Sequence, residues 1–444
     1  MRLRKLTSPL ASWVDPATAF AVLYGDTTDV VWLDSGLDST TGMSYMGRAS
    51  RTVSTDRNEE SIFDFLRSEL AANTIAPEGD GFSLGWLGWL GYELRFETLG
   101  LPRTRQSRHP DAAFLYLDRA LEFDHATSTL NLIAVGEDWT PELLHWREEI
   151  VAALALADGP PKTTRPRPTG ADYWRYSDTD YLAMIEACQR SIAEGEAYQL
   201  CLTTEFRLEG TPDPFGSYLA LRRASPSHHS AYLRIGDIAL LSASPEVFLS
   251  VSPVGVIESR PIKGTRRRGD TEEQDALLRA ELEASEKERA ENLMIVDLMR
   301  NDIARVSTIG TVDVTSLLAV ESYAQVHQLV STVRGQLRPG LDGVDAVVAC
   351  FPAGSMTGAP KRNATVLLDA LEQRPRGIYS GAFGYFGLDG RIDLAMVIRS
   401  IVMDPHGATV GAGGGITALS DPQEELAEVR LKAAALLGVL GVDG

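Results

Sequence analysis

Apolar residues recur along this chain with two different periods, and the switches between them mark its elements. Residues 29–33 (DVVWL) read as a short buried strand, stopped by Asp34, Ser35 and Gly36. Ile62, Phe63, Phe65, Leu66 and Leu70 keep helical spacing, which predicts a helix over 61–72. Residues 82–92 (FSLGWLGWLGY) are apolar and glycine-spaced, the pattern of a strand whose glycines admit close backbone packing. Trp86 and Trp89 within it are core residues on this reading. Residues 113–135 read as two strands about a polar turn at 124–128, and 141–157 as an amphipathic helix. Residues 158–170 (DGPPKTTRPRPTG) hold four prolines and no sizeable apolar side chain, so a linker is placed there. Beyond it come a helix over 178–194, a strand over 198–206, a helix over 214–223 and three strands within 231–259. The predicted organisation is an N-terminal region 1–157, the linker 158–170 and a second region 171–444.

One hairpin stands out chemically. Residues 247–251 read as a strand, 252–255 (SPVG) as a turn and 256–259 as the returning strand. Folding it about the turn brings Lys263 near position 244 and Glu246 near position 261. Pro261 ends regular pairing because it has no N–H, and Gly264 lets a bound group approach the main chain. An acid and an amine then share one end of one hairpin.

Two helices carry paired carboxylates. Ser285 and Glu288 have capping-box spacing at the start of a helix through Asn301, and Glu288 and Glu291 project from one face. Ser420 and Gln423 repeat the spacing before a helix with Glu425 and Glu428, and Lys432 one turn on. Facing each other, the pairs suit a hard divalent cation; alone, either is as well read as a solvated helix face. Residues 391–403 read as a strand, 404–407 as a turn and 408–415 as a strand ending Gly-Ala-Gly-Gly-Gly. That hairpin sets Arg399 beside Ala412 and Gly413, an arginine next to glycine N–H groups, which is an anion cradle. Residues 351–361 (FPAGSMTGAPK) form a second glycine-rich turn without the spacing of a nucleotide P-loop, so ATP is not expected.

Composition narrows the class. The net charge of −19 argues against non-specific binding to nucleic acid or an anionic membrane. Cys188, Cys201 and Cys350 have neither zinc spacing nor a disulfide framework, which suits a reducing cytoplasm. No secretory leader and no apolar run of membrane-spanning length is expected.

The segments SPE (244–246), PIKGT (261–265), ERAENLMIVDLMRND (288–302), AGSMTGAPK (353–361), GIYSGAFGY (377–385), GAGGG (411–415) and EELAEVRLK (424–432), with the strand of Arg399, together resemble the chorismate-utilising enzymes. These are component I of anthranilate synthase and of aminodeoxychorismate synthase, and the isochorismate and salicylate synthases. The resemblance implies an α+β fold of two large antiparallel sheets enclosing helices, a β/α/α/β sandwich in which the two regions are one globule. Lys263 resembles the aminodeoxychorismate branch, since anthranilate synthases usually carry alanine there. The resemblance implies that Lys263, as a neutral amine, attacks C2 of chorismate while Glu246 protonates the departing C4 hydroxyl, and that ammonia then enters at C4. Gln199 stands where water-using members typically have a lysine base. Glu291 and Glu428 would hold Mg²⁺, with Glu288 and Glu425 assisting. Gly264, Thr265, Tyr379, Arg399, Gly413, Gly414, Gly415 and Lys432 would hold the substrate's carboxylates, and His327 and Thr357 would line the ring pocket. Leu33 and Ser35 fall where relatives form a tryptophan site, although Asp34 replaces the usual glutamate of feedback-inhibited members. Ammonia is expected from a separate glutamine amidotransferase subunit, since no glutaminase domain fits beside component I in 444 residues. The expected role is amination of chorismate in 4-aminobenzoate and folate synthesis. Anthranilate synthesis is the alternative, and a silent binding subunit a third.

Overall fold

The computed structural model describes residues 3–442 except 38, 57–59, 158, 160, 162–169, 211 and 324–325. Most of the predicted linker therefore lies outside the described residues. It does not divide the sheets. Val30–Asp34 pairs with His229–Ile235, and Gly85–Leu90 pairs with Ala382–Gly387, so strands from both sides of 158–170 interleave.

The described residues form two antiparallel sheets, of twelve and ten strands. In the first, the path ends Ile238–Ser244, Ser400–Asp404, Gly407–Ile416, Gln199–Glu209 and Gly358–Ala359. In the second it begins Ile262–Arg267, Val326–Gln336, Val256–Ser259 and Val247–Val251. The class is α+β, as the resemblance implies. Helices Pro16–Tyr24, Asp178–Ala193, Pro214–Ala224 and Pro422–Val439 bury their apolar sides on the larger sheet, and Ile62–Ala72, Glu286–Ala304 and Gly343–Cys350 on the smaller. The layering is less simple than β/α/α/β. A third apolar cluster, with Val31, Leu87, Trp89, Leu233, Leu240 and Phe383, joins sheet to sheet with no helical residue in it. Period-2 alternation produces this: Trp32 and Trp86 face helices while Val31 and Leu87 face the other sheet. Gly88 and Gly384 pair directly, and a Cβ on either would stand 2.0 Å from a neighbouring carbonyl oxygen. The glycine spacing of 82–92 is thus a requirement of backbone approach.

Two predicted strands are each split between the sheets. Ala112–Leu117 belongs to the smaller sheet and Arg119–Asp124 to the larger, so 113–135 holds three strands. Likewise Ile392–Met396 lies in the smaller sheet and Ser400–Asp404 in the larger, with Arg399 at the crossing in a left-handed conformation (φ 51°). Residues 231–259 hold four strands where three were expected, because His229–Ile235 and Ile238–Ser244 form their own hairpin.

Candidate active site

The Val247–Val251 and Val256–Ser259 strands form the expected hairpin, with Ser250 opposite Glu258 and Val251 opposite Ile257. Continuing that register sets Glu246 opposite Ile262, one residue from the expected Pro261. The Ile262 N–H and the Ser355 hydroxyl both lie close enough to the Glu246 carboxyl to favour its charged form. Next along, the register shifts between Lys263 and Thr265, and Gly264 occupies the bulge at φ 76°. A Cβ there would lie 2.7 Å from Leu282 and 2.9 Å from Glu288, so only glycine suits both the conformation and the space.

Lys263 Nζ reaches 4.0 Å from Glu291 Oε2, and both side chains are mostly buried. Burial pulls the ammonium's pKa down, but Glu291, Glu246, Cys201 and Glu428 outweigh it and hold the amine above the ordinary lysine value. The depressed amine that nucleophilic attack calls for is therefore not a property of the unliganded site: too many carboxylates surround it. Burial pushes the Glu246 carboxyl above the ordinary glutamate range despite Lys263 nearby. That is the state of a proton donor.

The two acid-bearing helices pack on different sheets, Glu286–Ala304 against Ile262–Arg267 and Val326–Gln336, and Pro422–Val439 against Gly407–Ile416. Ser285 caps Glu286–Ala304, its hydroxyl accepting from the Glu288 N–H. Asp421, not Ser420, caps Pro422–Val439; Ser420 instead donates to Glu425 at 2.7 Å. Each of the four glutamates has a cation beside it. Glu291 has Lys263, Glu428 has Lys432 at 2.7 Å, Glu425 has Lys287 at 3.5 Å and Glu288 has Arg266 at 3.7 Å. Burial pushes Glu291 up against the pull of Lys263 and Lys287, and Glu288 and Glu428 add to the rise. Burial also opposes the charged form of Glu428, but Lys432, Lys287 and Lys263 together hold it below the ordinary range. Among the described residues no three His, Cys, Asp or Glu side chains converge as a metal cage. A hard cation that keeps waters and takes substrate oxygens needs only one or two carboxylates. Glu291 and Glu428 feel each other's charge and both face Lys263, so their donor chemistry fits such an ion.

Of the residues expected to hold carboxylates, Gly413, Gly414 and Gly415 lie on the larger sheet, whereas Gly264 and Thr265 lie on the smaller. Cys201 donates its N–H to Thr357 and Thr203 donates its own to Glu372, away from the Gly407–Ile416 strand. In an antiparallel ladder the residues opposite them, Gly415 and Gly413, then turn their N–H groups to the strand's open edge. Lys432 Nζ donates to the Gly413 carbonyl there, at 3.0 Å. A Cβ on Gly415 would lie 2.0 Å from Gln199 Nε2, one on Gly414 2.9 Å from Glu425, and one on Gly411 2.1 Å from the Tyr379 ring. Arg399 lies two residues before Ile401, where the pairing with this strand ends opposite Val410, and its guanidinium donates to the Lys432 carbonyl at 3.1 Å. It forms no ion pair among the described residues, and burial lowers its pKa. A partly buried arginine in that state is suited to a ligand's carboxylate.

Gln199 is buried and its Oε1 accepts no hydrogen bond. Thr357 is buried and donates to the Ala353 and Gly354 carbonyls, so its hydroxyl is engaged by its own turn. Thr265 is exposed. His327 has both ring nitrogens taken, by Ser322 and Asp275. Three residues at the site were not assigned to it from the sequence. Ser355, which lowers the Glu246 carboxyl's pKa against burial, lies two residues before Thr357 in the same turn. Cys201 is within electrostatic reach of Lys263 and sits two residues after Gln199, hence on the same strand face. Lys287 had no sequence signal, because its partner is 138 residues away. Leu33 and Ser35 line a separate cavity of about 330 Å³ with His228, His229 and Asp393, while Asp34 is committed to Arg222 and Tyr218.

Comparison with known proteins agrees with this architecture. An aminodeoxychorismate synthase of Streptomyces pristinaespiralis is 42% identical over 96% of the chain, and the chain spans 64% of that relative's length. An anthranilate synthase component 1 of Methanothermobacter thermautotrophicus is 34% identical, covering 97% of this chain and 93% of its own. The crystal structure of anthranilate synthase component I from Streptococcus pneumoniae superposes with a TM-score of 0.77 at 28% identity, over 95% of this chain and 97% of that one. The family model for chorismate binding enzymes matches residues 28–438, and the chain belongs to that family.

Proposed function

We propose that this chain aminates chorismate at C4 to give 4-amino-4-deoxychorismate, with ammonia delivered by a partner glutamine amidotransferase, on the route to 4-aminobenzoate and folate. The observation that carries this reading is that Lys263 lies within electrostatic reach of a Glu246 carboxyl that burial keeps inclined to hold its proton. Lys263 Nζ, once it has lost a proton, forms a bond to C2. The two conjugated ring double bonds shift together, C1=C2 to C6=C1 and C5=C6 to C4=C5, the C4–O bond breaks, and Glu246 gives its proton to the departing hydroxyl, which leaves as water. Ammonia then bonds to C4, both double bonds shift back, the C2–Nζ bond breaks to return the lysine, and the ammonium formed at C4 gives a proton back to Glu246. Gln199 Oε1, buried and without a donor, is placed to accept from the incoming ammonia.

The substrate's carboxylates are assigned to Arg399, Tyr379, Lys432, Gly264, Thr265, the N–H groups of Gly413 and Gly415, and the space left by Gly414. The ring lies against Thr357, with His327 behind. Glu291 and Glu428, assisted by Glu288 and Glu425, would hold Mg²⁺, which when bound neutralises the ring carboxylate. The 34% identity to an anthranilate synthase component keeps one alternative, amination at C2 with loss of pyruvate. The cavity lined by Leu33 and Ser35 is a second proposed small-molecule pocket, with tryptophan as its probe.

Incubation with chorismate, Mg²⁺ and ammonium at raised pH tests the reading. Aminodeoxychorismate by mass spectrometry is the expected product. Fluorescent anthranilate without added lyase would favour the alternative. Turnover with ammonium alone would exclude a silent subunit.

A further inference from the structure

Three of the four cations beside the glutamates have second tasks. Lys263 is the proposed nucleophile, Lys432 also donates to the Gly413 carbonyl, and Arg266 also binds Glu281 and the Thr265 carbonyl. Lys287 is different. It stands at the second position of Glu286–Ala304, just before Glu288, and Glu425 is its hydrogen-bond partner among the described residues. Its side chain is 54% exposed, while that of Glu425 is 3% exposed. A long, solvated lysine thus reaches inward over a buried carboxylate. It also feels Glu291 and Glu428. Among the described residues, Lys287–Glu425 is the ion pair that joins the two acid-bearing helices.

We propose that Lys287 is a removable counter-ion: it bridges the acid-bearing helices while no divalent cation is present, and leaves for solvent when one enters. This rests on the assignment of the four glutamates to a metal. Like charges crowd at Glu291, Glu288 and Glu428, so an empty site needs positive charge. A tethered lysine supplies it and is displaced cheaply, because a half-exposed ammonium regains its water when it swings out. The expected consequence is a metal affinity set below what the carboxylates alone would give.

Calorimetric titration of the whole chain with MgCl₂ alone, without chorismate, tests this. Lys287→Met keeps the stem and removes the charge. It is expected to bind Mg²⁺ roughly two- to fivefold more tightly than the parent, the worth of a partly exposed ion pair. Lys287→Arg is expected to bind as the parent does, and the gap between Lys287→Met and the parent to narrow at high salt. Glu428→Gln must lose the heat, which ties it to this site. Glu428-dependent binding in the parent with equal or weaker binding in Lys287→Met overturns the counter-ion role and leaves the metal assignment standing. No Glu428-dependent binding in the parent overturns both.

Discussion

Lys263 and Glu291 meet at 4.0 Å although one lies on a sheet-edge bulge and the other on a helix that packs against the neighbouring strand. The pair sets the protonation problem of the site. Its carboxylate neighbours keep the amine charged, so the nucleophilic form has to be generated in the working complex. Lys263→Ala is expected to remain folded and to lose C4 amination by about 10³-fold or more, the usual cost of a missing nucleophile. Product analysis by mass spectrometry checks this, with a small anthranilate leak as a further expected outcome. Unchanged aminodeoxychorismate output would remove the covalent role.

Glu246 makes a prediction about stability as well as rate. Burial raises its carboxyl pKa in the folded state. A raised carboxyl binds its proton more tightly when folded, so its ionisation opposes folding once pH climbs above the unfolded value, and most fully above the folded one. Glu246→Gln should therefore melt higher than the parent at pH 7, and the gain should fade towards pH 4. The same variant should lose roughly 10²- to 10⁴-fold in kcat as the acid is removed. A lower melting temperature at pH 7 would mean the carboxylate is stabilised in place.

Gly411 has no room for a side chain. A Cβ there would stand 2.1 Å from the Tyr379 ring, whose position beside Arg399 depends on that gap. Gly411→Ala should cost about 1–3 kcal/mol through overpacking and raise KM more than it lowers kcat. Denaturant melts and steady-state kinetics separate the two effects. A KM within a factor of about two of the parent would show that Tyr379 does not hold substrate.

The turn of residues 351–361 is fixed from beneath. Lys361 bonds both Asp302 and the Cys350 carbonyl in the interior. That ties the turn carrying Ser355 and Thr357 to the end of the helix that carries Glu288 and Glu291. Lys361→Met leaves the Asp302 carboxylate buried and unpaired, which should cost roughly 3–5 kcal/mol in chemical denaturation. A loss under about 1 kcal/mol would mean water enters the gap.

Much of this site could be read from the chain. The hairpin, the two acid-bearing helices and the glycine strand are each local, because punctuation by Pro261, Gly264 and Gly411 and helical spacing are properties of neighbouring residues. The two split strands share one physical cause. At Asp118 and again at Val397 to Arg399 the chain passes from one sheet to the other while its apolar run continues, so period-2 patterning runs on and each crossing reads as one strand. The pairing of Lys287 with Glu425 was illegible for another reason. Lys287 and Glu425 are brought together by packing between elements 138 residues apart, and nothing near either residue encodes the other.

The most direct test is intact-protein and peptide mass spectrometry after mixing the chain with chorismate and Mg²⁺ without ammonia. Attack at C2 with loss of the C4 hydroxyl predicts an added mass of chorismate less one water on the peptide containing Lys263, discharged when ammonium is supplied. An enzyme that turns chorismate over with ammonium, yet never carries that mass on Lys263, would contradict the account.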